Sequence, residues 1–202
     1  MFDPAHGSSA LPPGCRLGGH YRVLDRLGRP GGFGQTYRTL DERLHREVAI
    51  KEYFPRELVS RAGSDPAVRA LGPEESAKFE FGKLRFLEEG RTLARVSHPR
   101  VIRVLELFEE NRTAYLVMEY HRGANLAEVA ALTGGRLPEP IVVALLLEIL
   151  DGLEAVHRQG VLHCDVKPSN LYLTHAGVPL LLDFGAARRD LGERTATLDG
   201  IL

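Results

Sequence analysis

The stretch VLHCDVKPSNLYL, residues 161–173, sets a histidine, a cysteine, an aspartate, a lysine and an asparagine between two apolar flanks. Polar side chains inside apolar sequence cost free energy unless they meet partners. A carboxylate at Asp165 can orient a hydroxyl group and take its proton. The side-chain oxygen of Asn170 can bind a hard cation, and Lys167 can steady a phosphoryl group. The alternative interpretation, a polar surface loop, is disfavoured by the strand-like flanks.

Two patterns in the first quarter of the chain suit phosphate chemistry. LGRPGGFGQTY (27–37) is rich in glycine, so its backbone N–H groups can approach phosphate oxygens without a Cβ in the way. VAIK ends an apolar run in Lys51, which a phosphate or a helix carboxylate can neutralise, with Glu89 as the first choice and Glu88 as the second. Taken singly, these patterns also fit an ordinary Gly/Pro hairpin and a lysine that extends to the surface.

A fourth pattern, LLLDFG (180–185), places Asp183 directly after an apolar run. A carboxylate at the end of a strand is well placed to bind a metal ion, and Phe184 can pack inward and hold it. The triplet DFG alone would be a weak signal, and its meaning depends on the other three patterns.

Composition and charge limit the class of protein. The chain has 202 residues and a formal net charge of -1, which suits one domain or two small lobes and gives no argument for a nucleic-acid partner. Its two cysteines, Cys15 and Cys164, imply no disulfide framework, so we expect a cytoplasmic protein. IVVALLL (141–147) is far shorter than the roughly 20 residues of a membrane span, and a membrane anchor would have to lie outside this sequence.

Apolar periodicity divides the chain into strands and helices. We predict a flexible leader at 1–19, strands at 21–27, 35–40 and 47–54, an irregular connection at 55–73, a helix at 73–96, a hairpin at 101–120 turning at Asn111-Arg112, helices at 125–133 and 140–160, and two short strands, LYL and PLLL. Strands with one helix, followed by a mainly helical half, predict an α+β chain of two lobes joined near residues 120–123.

Taken in order, VAIKEYFP, FLEEGRTLARVSHP, YLVMEY, HCDVKPSNLYL and DFGAAR match the protein-kinase signature set. From about residue 20 to its end, the chain resembles the catalytic domain of a bacterial-type serine/threonine protein kinase. The resemblance implies a two-lobed α+β fold. Residues 20–120 would form an antiparallel-sheet N-lobe with one main helix, and residues 121–202 an incomplete, mainly helical C-lobe.

The resemblance also implies a reaction and its residues. ATP would sit between the lobes, and a Ser or Thr hydroxyl of a protein substrate would attack its γ-phosphorus. The catalytic roles would be as follows: Asp165 is the base, Lys167 is the lysine typical of serine/threonine kinases, Lys51 contacts the α- and β-phosphates and pairs with Glu89, and Asn170 and Asp183 hold Mg²⁺.

The remaining nucleotide contacts follow from the same resemblance. The phosphates would be covered by Gly28, Gly31, Gly32 and Gly34. The adenine would lie below Thr36 and Ala49 and above Tyr172, and it would hydrogen-bond backbone groups of Glu119 and His121. Met118 would be the gatekeeper. Leu93, Val104, His163 and Phe184 would form a spine linking the lobes, which makes His163 a packed structural histidine.

The sequence departs from the family pattern in three places. GRPGGFG is one residue longer than usual, and Pro30 removes an N–H donor, so we expect looser phosphate cover. Cys164 replaces the usual arginine, so phosphorylation at Thr195 or Thr197 should not switch the protein through that contact. The sequence ends at RTATLDGIL without an A-P-E motif, so we expect a fragment whose helix at 140–159 lacks packing surface and favours aggregation.

Two alternatives remain at the level of sequence. The first is a non-catalytic module that binds ATP or a partner protein, favoured by the early end of the sequence and opposed by the presence of all the nucleotide-handling residues. The second is a small-molecule kinase of related fold, which Lys167 and the close VAIKEYFP match oppose. The sequence does not indicate the oligomeric state.

Overall fold

The computed structural model describes residues 9–28, 34–63 and 65–184, together with the backbone of 188–189. The chain divides into two compact units. The first comprises Met1–Ala94 and Arg103–Tyr120, and the second comprises Arg95–Ile102 and His121–Leu202. The short segment Arg95–Ile102 therefore belongs with the second unit although it precedes two strands of the first.

A six-stranded antiparallel sheet forms the body of the first unit, in the order β1-β2-β3-β4-β8-β7. The elements of this unit are β1 (Arg16–Leu17), β2 (Tyr21–Leu27), β3 (Gly34–Asp41), β4 (Arg46–Tyr53), β5 (Val59–Arg61), β6 (Val68–Ala70), α1 (Pro73–Leu93), β7 (Val104–Glu110) and β8 (Thr113–Glu119). Burial alternates along the whole of β3, as the period of two in a strand requires. The predicted hairpin turn is confirmed, because Asn111 and Arg112 connect β7 to β8 with positive φ.

Helix α1 packs on β7 and β8. Proline at its start and the acidic pair Glu74 and Glu75 in its first turn suit a helix N-terminus. The helix buries Phe86, Leu87 and Gly90 against the sheet, and a Cβ at Gly90 would lie 2.9 Å from the Leu116 Cδ1 atom. Glycine therefore allows the close approach of helix to sheet.

The leader differs from the sequence-based expectation. Residues 9–19 are packed onto the sheet: Leu11 and Leu17 are buried, β1 pairs with β2, and the Gly14 N–H donates to the Val23 carbonyl at 2.8 Å. Glycine, proline and serine suggested flexibility, but two apolar side chains in this stretch bury enough surface to order it. Residues 1–8 lie outside the described part of the chain.

The connection at 55–73 is also more regular than expected. It contains the antiparallel hairpin β5–β6, in which Val59 and Val68 are buried in the same apolar cluster as Phe79 of α1. Pro55, Gly63, Pro66 and Gly72 all lie outside the two strands, and Pro73 begins α1. The hairpin thus extends the core under α1.

The second unit has two helices and several short strands. Its elements are β9 (Gly123–Asn125), α2 (Leu126–Leu132), α3 (Glu139–His157), β10 (Val161–Leu162), the 3-10 turn Pro168–Asn170, β11 (Leu171–Thr174), β12 (Pro179–Leu181) and β13 (Arg188–Arg189). One sheet has the order β12-β11-β9, and β10 pairs with β13. The helices and strands of the two units confirm the predicted α+β class.

Helix α3 has one buried and one exposed apolar face. Leu145, Ile149, Gly152 and Val156 are buried, and the helix contacts β10 and β12. The exposed apolar side chains are Ile141, Val143, Leu146, Leu147 and Leu150, of which Leu147 is 62% exposed. Among the described residues, α3 and the other helices are too short or too polar to cross a membrane.

Candidate active site

Strand β4 presents Lys51 on a defined face of the sheet. Lys51 lies opposite Thr36 on β3 and opposite Leu116 on β8, while Ala49 lies opposite Met118. Residues directly opposite each other in a sheet share a face. These five side chains therefore lie on one side of the sheet, which we call the lysine face, and four of them are predicted site residues.

The lysine face is also the face that α1 covers, because Leu116 packs in one cluster with Phe86 and Leu87 of the helix. On α1, Glu89 is half-buried whereas Glu88 is exposed. Glu89 follows Phe86 by three positions and so lies on the sheet side of the helix. This placement favours Glu89 over Glu88 as the carboxylate nearest the lysine face.

Only the ends of the glycine stretch are described. Gly28 has a φ of 63°, a left-handed conformation that glycine adopts without strain. At Gly34 a Cβ would meet the Glu52 carbonyl oxygen at 2.5 Å, so the two strands approach closely there. Gly31, Gly32 and Pro30 fall outside the described residues, as do Thr195 and Thr197.

In the second unit, His163 joins the loop after β10 to the loop after β12. Its side chain is buried, and its ring centroid lies 4.4 Å from that of Phe184. Its Nε2 atom is 3.0 Å from the Leu182 carbonyl oxygen, and its Nδ1 atom accepts the Asp165 N–H at 3.3 Å. The geometry assigns the ring proton to Nε2 and makes His163 a structural residue that aligns the two loops.

Asp165 is held from two sides within its own loop. The Lys167 ammonium donates to Asp165 Oδ2 at 2.7 Å, and the Asn170 amide nitrogen donates to the same oxygen at 2.9 Å. Asn170 also donates to the Asp165 backbone carbonyl at 2.9 Å, closing the loop on itself. The bond from Lys167, with help from Asn170, lowers the pKa of the Asp165 carboxyl below its ordinary value. Asp165 is therefore an oriented, ionised carboxylate.

Asp183 follows β12 and is exposed. The preceding Leu182 N–H donates to the Asn170 carbonyl at 2.9 Å, which fixes the two loops side by side. Asp183 and Cys164 both have positive φ, 53° and 59°, which is uncommon outside glycine. The Asp183 carboxylate is also near enough to oppose the lowered pKa of Asp165 by repulsion. Strained backbone thus occurs where the two acidic loops meet.

The donor set of these loops suits magnesium. Because the Asn170 nitrogen donates to Asp165, its Oδ1 atom is the one that can coordinate a cation, and Asp183 adds a carboxylate. Within the described ranges, no group of three or more His, Cys, Asp or Glu side chains could hold a metal on its own. Mg²⁺ commonly takes one or two protein ligands and completes its shell with water and substrate phosphates, so the two residues fit it.

The remaining predicted nucleotide residues are Glu119, His121 and Tyr172. Glu119 ends β8, and its N–H donates to the Arg103 carbonyl at 3.0 Å. In the second unit, the Tyr172 hydroxyl of β11 donates to the His121 carbonyl at 3.1 Å. Both bonds involve residues predicted to contact adenine.

Sequence reasoning missed a buried charged cluster behind Lys51. Glu52 and Arg61 form an ion pair whose side chains are 0% and 1% exposed. The Tyr37 and Tyr115 hydroxyls donate to the Glu52 carboxylate at 2.9 and 3.0 Å. The one available signal was a glutamate directly after the apolar run that ends in Lys51, a position where burial demands a partner.

Comparisons with known proteins identify the family of the chain. The family model described as Protein kinase domain matches residues 21–198. The serine/threonine-protein kinase pkn2 of Myxococcus xanthus is 35% identical over 88% of this chain and 19% of its own length. The serine/threonine-protein kinase PknA of Mycobacterium tuberculosis is 38% identical over 87% of this chain and 37% of its own length.

Solved structures show the same likeness. PpkA-294 in its apo form superposes with a TM-score of 0.83 at 35% identity, covering 92% of this chain and 65% of that one. The PknI kinase domain of M. tuberculosis has a TM-score of 0.67 at 26% identity, covering 87% of this chain and 62% of that one. The chain spans between about a fifth and two fifths of the length of the curated relatives that it matches.

Proposed function

Because this chain belongs to the protein kinase domain family, with serine/threonine kinases of bacteria as its relatives, we propose that it transfers the γ-phosphate of ATP to Ser or Thr hydroxyls of protein substrates. The observation that carries the proposal is the carboxylate of Asp165, ionised and held by Lys167 and Asn170 beside Asp183. An oriented carboxylate next to a cation-binding pair is what hydroxyl activation near a metal-bound phosphate requires.

Each residue has a role in this reaction. Asp165 accepts a hydrogen bond from the substrate hydroxyl and takes its proton as the oxygen bonds to the γ-phosphorus. At the same time the bond from that phosphorus to the bridging oxygen breaks, and ADP leaves. Lys167 binds the γ-phosphoryl oxygens through its ammonium group, and Lys51 binds the α- and β-phosphates, with Glu89 orienting Lys51. Positioning and electrostatics supply most of the acceleration.

Asn170 and Asp183 would hold Mg²⁺, which when bound neutralises phosphate charge. The nucleotide base would be held by the carbonyl of Glu119 and the N–H of His121. Thr36, Ala49 and Tyr172 would enclose the ring, with Met118 beside it, and Gly28, Gly31, Gly32 and Gly34 would cover the phosphates. The placement of Thr36, Ala49 and Met118 with Lys51 on the lysine face supports this assignment.

A phosphate-transfer assay tests the proposal. The chain is incubated with Mg²⁺, ATP labelled at the γ-phosphate and casein, and labelled phosphoserine and phosphothreonine are counted after hydrolysis. Asp165→Ala should lower the rate about a hundredfold or more, because it removes the base. The matched control is Glu57→Ala, an exposed carboxylate on the loop after β4, which should leave the rate unchanged.

Binding without transfer is the second candidate function, since the chain spans only part of its relatives. Stabilisation by ATP and Mg²⁺, with no transfer to protein from the parent chain, would establish it and reject catalysis. Transfer to a small molecule in place of casein would show that the chain is a phosphotransferase but would reject the proposal of a protein substrate.

A further inference from the structure

The sheet of the first unit has a second face, opposite the lysine face, whose central side chains are buried. Tyr37, Ile50, Tyr115 and Val117 on this side are buried. Part of the cover is the segment Ser9–Leu17, which we call the strap. Leu11 and Leu17 of the strap belong to the same apolar cluster as these four residues.

The strap is fastened by polar contacts as well as by burial. The Ser9 carbonyl accepts from Arg61 Nη1 at 2.5 Å and from Gln35 Nε2 at 2.9 Å. The Leu11 N–H donates to the Tyr37 hydroxyl at 3.1 Å, and that hydroxyl donates to Glu52. The strap is therefore joined to Glu52 by two routes, through Arg61 and through Tyr37.

Arg61 needs the strap to satisfy its donors. Its guanidinium donates to Glu52, to the Pro66 carbonyl at 2.9 Å and to the Ser9 carbonyl. A buried guanidinium is tolerated only when its donors are paired. Loss of the Ser9 acceptor would leave a donor unpaired and admit water to the ion pair.

Glu52, which contacts the partners of the strap, is the next residue after Lys51 on β4. Successive side chains of a strand point to opposite faces, so Glu52 faces the strap and Lys51 faces the other way. β4 is a central strand, paired with β3 and β8 at both residues. A change in the twist of β4 at Glu52 would therefore reach Lys51 through the shared backbone.

We propose that Arg61 and Glu52 are positioning residues that latch the strap onto β4 and thereby hold Lys51 in its nucleotide-binding geometry. The proposal rests on the proposed function for its effect on ATP. Its structural part, the coupling of the strap to β4, stands without it.

Leu11→Asp tests the latch, because it places a charge in the buried apolar cluster and releases the strap. Pro13→Asp is the matched control, since Pro13 is exposed in the same segment. Hydrogen exchange is followed at the amides of the strap, β3 and β4. The dissociation constant of a fluorescent ATP analogue is measured in the presence of Mg²⁺. The temperature is kept well below the melting temperature of every variant, so that unfolding does not contribute.

With Leu11→Asp we expect faster hydrogen exchange in the strap and in β4. The dissociation constant of the ATP analogue should rise about fivefold or more in Leu11→Asp, and less than about twofold in Pro13→Asp. Faster exchange confined to the strap, or unchanged affinity in a chain that binds the analogue, would overturn the proposal and leave the strap a passive cover. Equal effects of the two variants would overturn it too.

The double variant Glu52→Leu with Arg61→Met covers the case in which Leu11→Asp does not fold. It removes the latch but keeps an apolar interior, and such replacements of buried ion pairs commonly fold. We expect faster strap exchange and weaker nucleotide binding; unchanged values would contradict the proposal. If the parent chain binds no nucleotide, the proposed function fails, and exchange in β4 alone decides whether the latch exists.

Discussion

Asp165, Lys167 and Asn170 show how single side chains set the state of a catalytic group. One carboxylate oxygen accepts from both neighbours, so the orientation of the Asp165 carboxylate depends on these two side chains of its own loop. The lysine also faces the solvent with 52% of its side chain exposed. Its contribution is therefore electrostatic and local, and it can be removed without disturbing a core.

Lys167→Ala should raise the pKa of the Asp165 carboxyl. The parent pKa is depressed, so the stabilisation from this contact is present above the unfolded-state pKa and is lost as the pH falls through the folded-state value. A ¹³C NMR titration of the Asp165 carboxyl measures the change. Lys167→Arg keeps a cation and should preserve most of the depression, and an unchanged pKa in Lys167→Ala would show that the contact does not form.

At the scale of elements, strands β4 and β5 are joined by the buried ion pair of Glu52 and Arg61. Removing Glu52 by Glu52→Ala leaves the Arg61 guanidinium buried without its anion. The free energy of unfolding should fall by about 3–5 kcal/mol. Urea denaturation of the parent and the variant gives the difference.

The double variant Glu52→Leu with Arg61→Met distinguishes the free-energy cost of an unpaired buried charge from the net contribution of the ion pair to stability. We expect its stability to return close to that of the parent, because no uncompensated charge remains. If the double variant were as unstable as Glu52→Ala, the ion pair itself would be a net source of stability.

Helix α3 carries a broad exposed apolar face, and faces of this kind promote association. Leu147→Glu combined with Leu150→Glu should reduce self-association of the chain, measured by light scattering after size-exclusion chromatography. Ile149→Glu, on the buried side of the same helix, should instead unfold the second unit. Equal association of the parent and the double variant would show that this face is not the contact surface.

Over the whole molecule, the sequence predicted the parts that depend on local pattern. The strands around Lys51, helix α1 and the loop at Asp165 all carry short-range signals: alternation, helical spacing and turn residues. The hairpin turn at Asn111-Arg112, another short-range signal, is confirmed. The α+β class followed from the order of these elements.

The parts that the sequence did not predict depend on distant partners. Ser9 meets Arg61 across 52 positions through a backbone carbonyl, which has no residue-type signature. The Gly/Pro/Ser content of the first 19 residues suggested flexibility, and only the folded sheet shows what Leu11 and Leu17 cover. The hairpin β5–β6 was missed for the same reason, because Val59 and Val68 gain their burial from α1.

The proposed reaction requires that Asn170 and Asp183 hold the cation that accompanies ATP. In the test, Mn²⁺ replaces Mg²⁺ in the presence of a non-hydrolysable ATP analogue, and the paramagnetic broadening of the protein's NMR resonances is measured. The resonances of the Asn170 side-chain amide and the Asp183 backbone amide should broaden most. Asp183→Asn should weaken the effect, and Asp151→Asn, an exposed control on α3, should leave it intact. Broadening centred on other residues, or none with nucleotide at saturation, would contradict the claim.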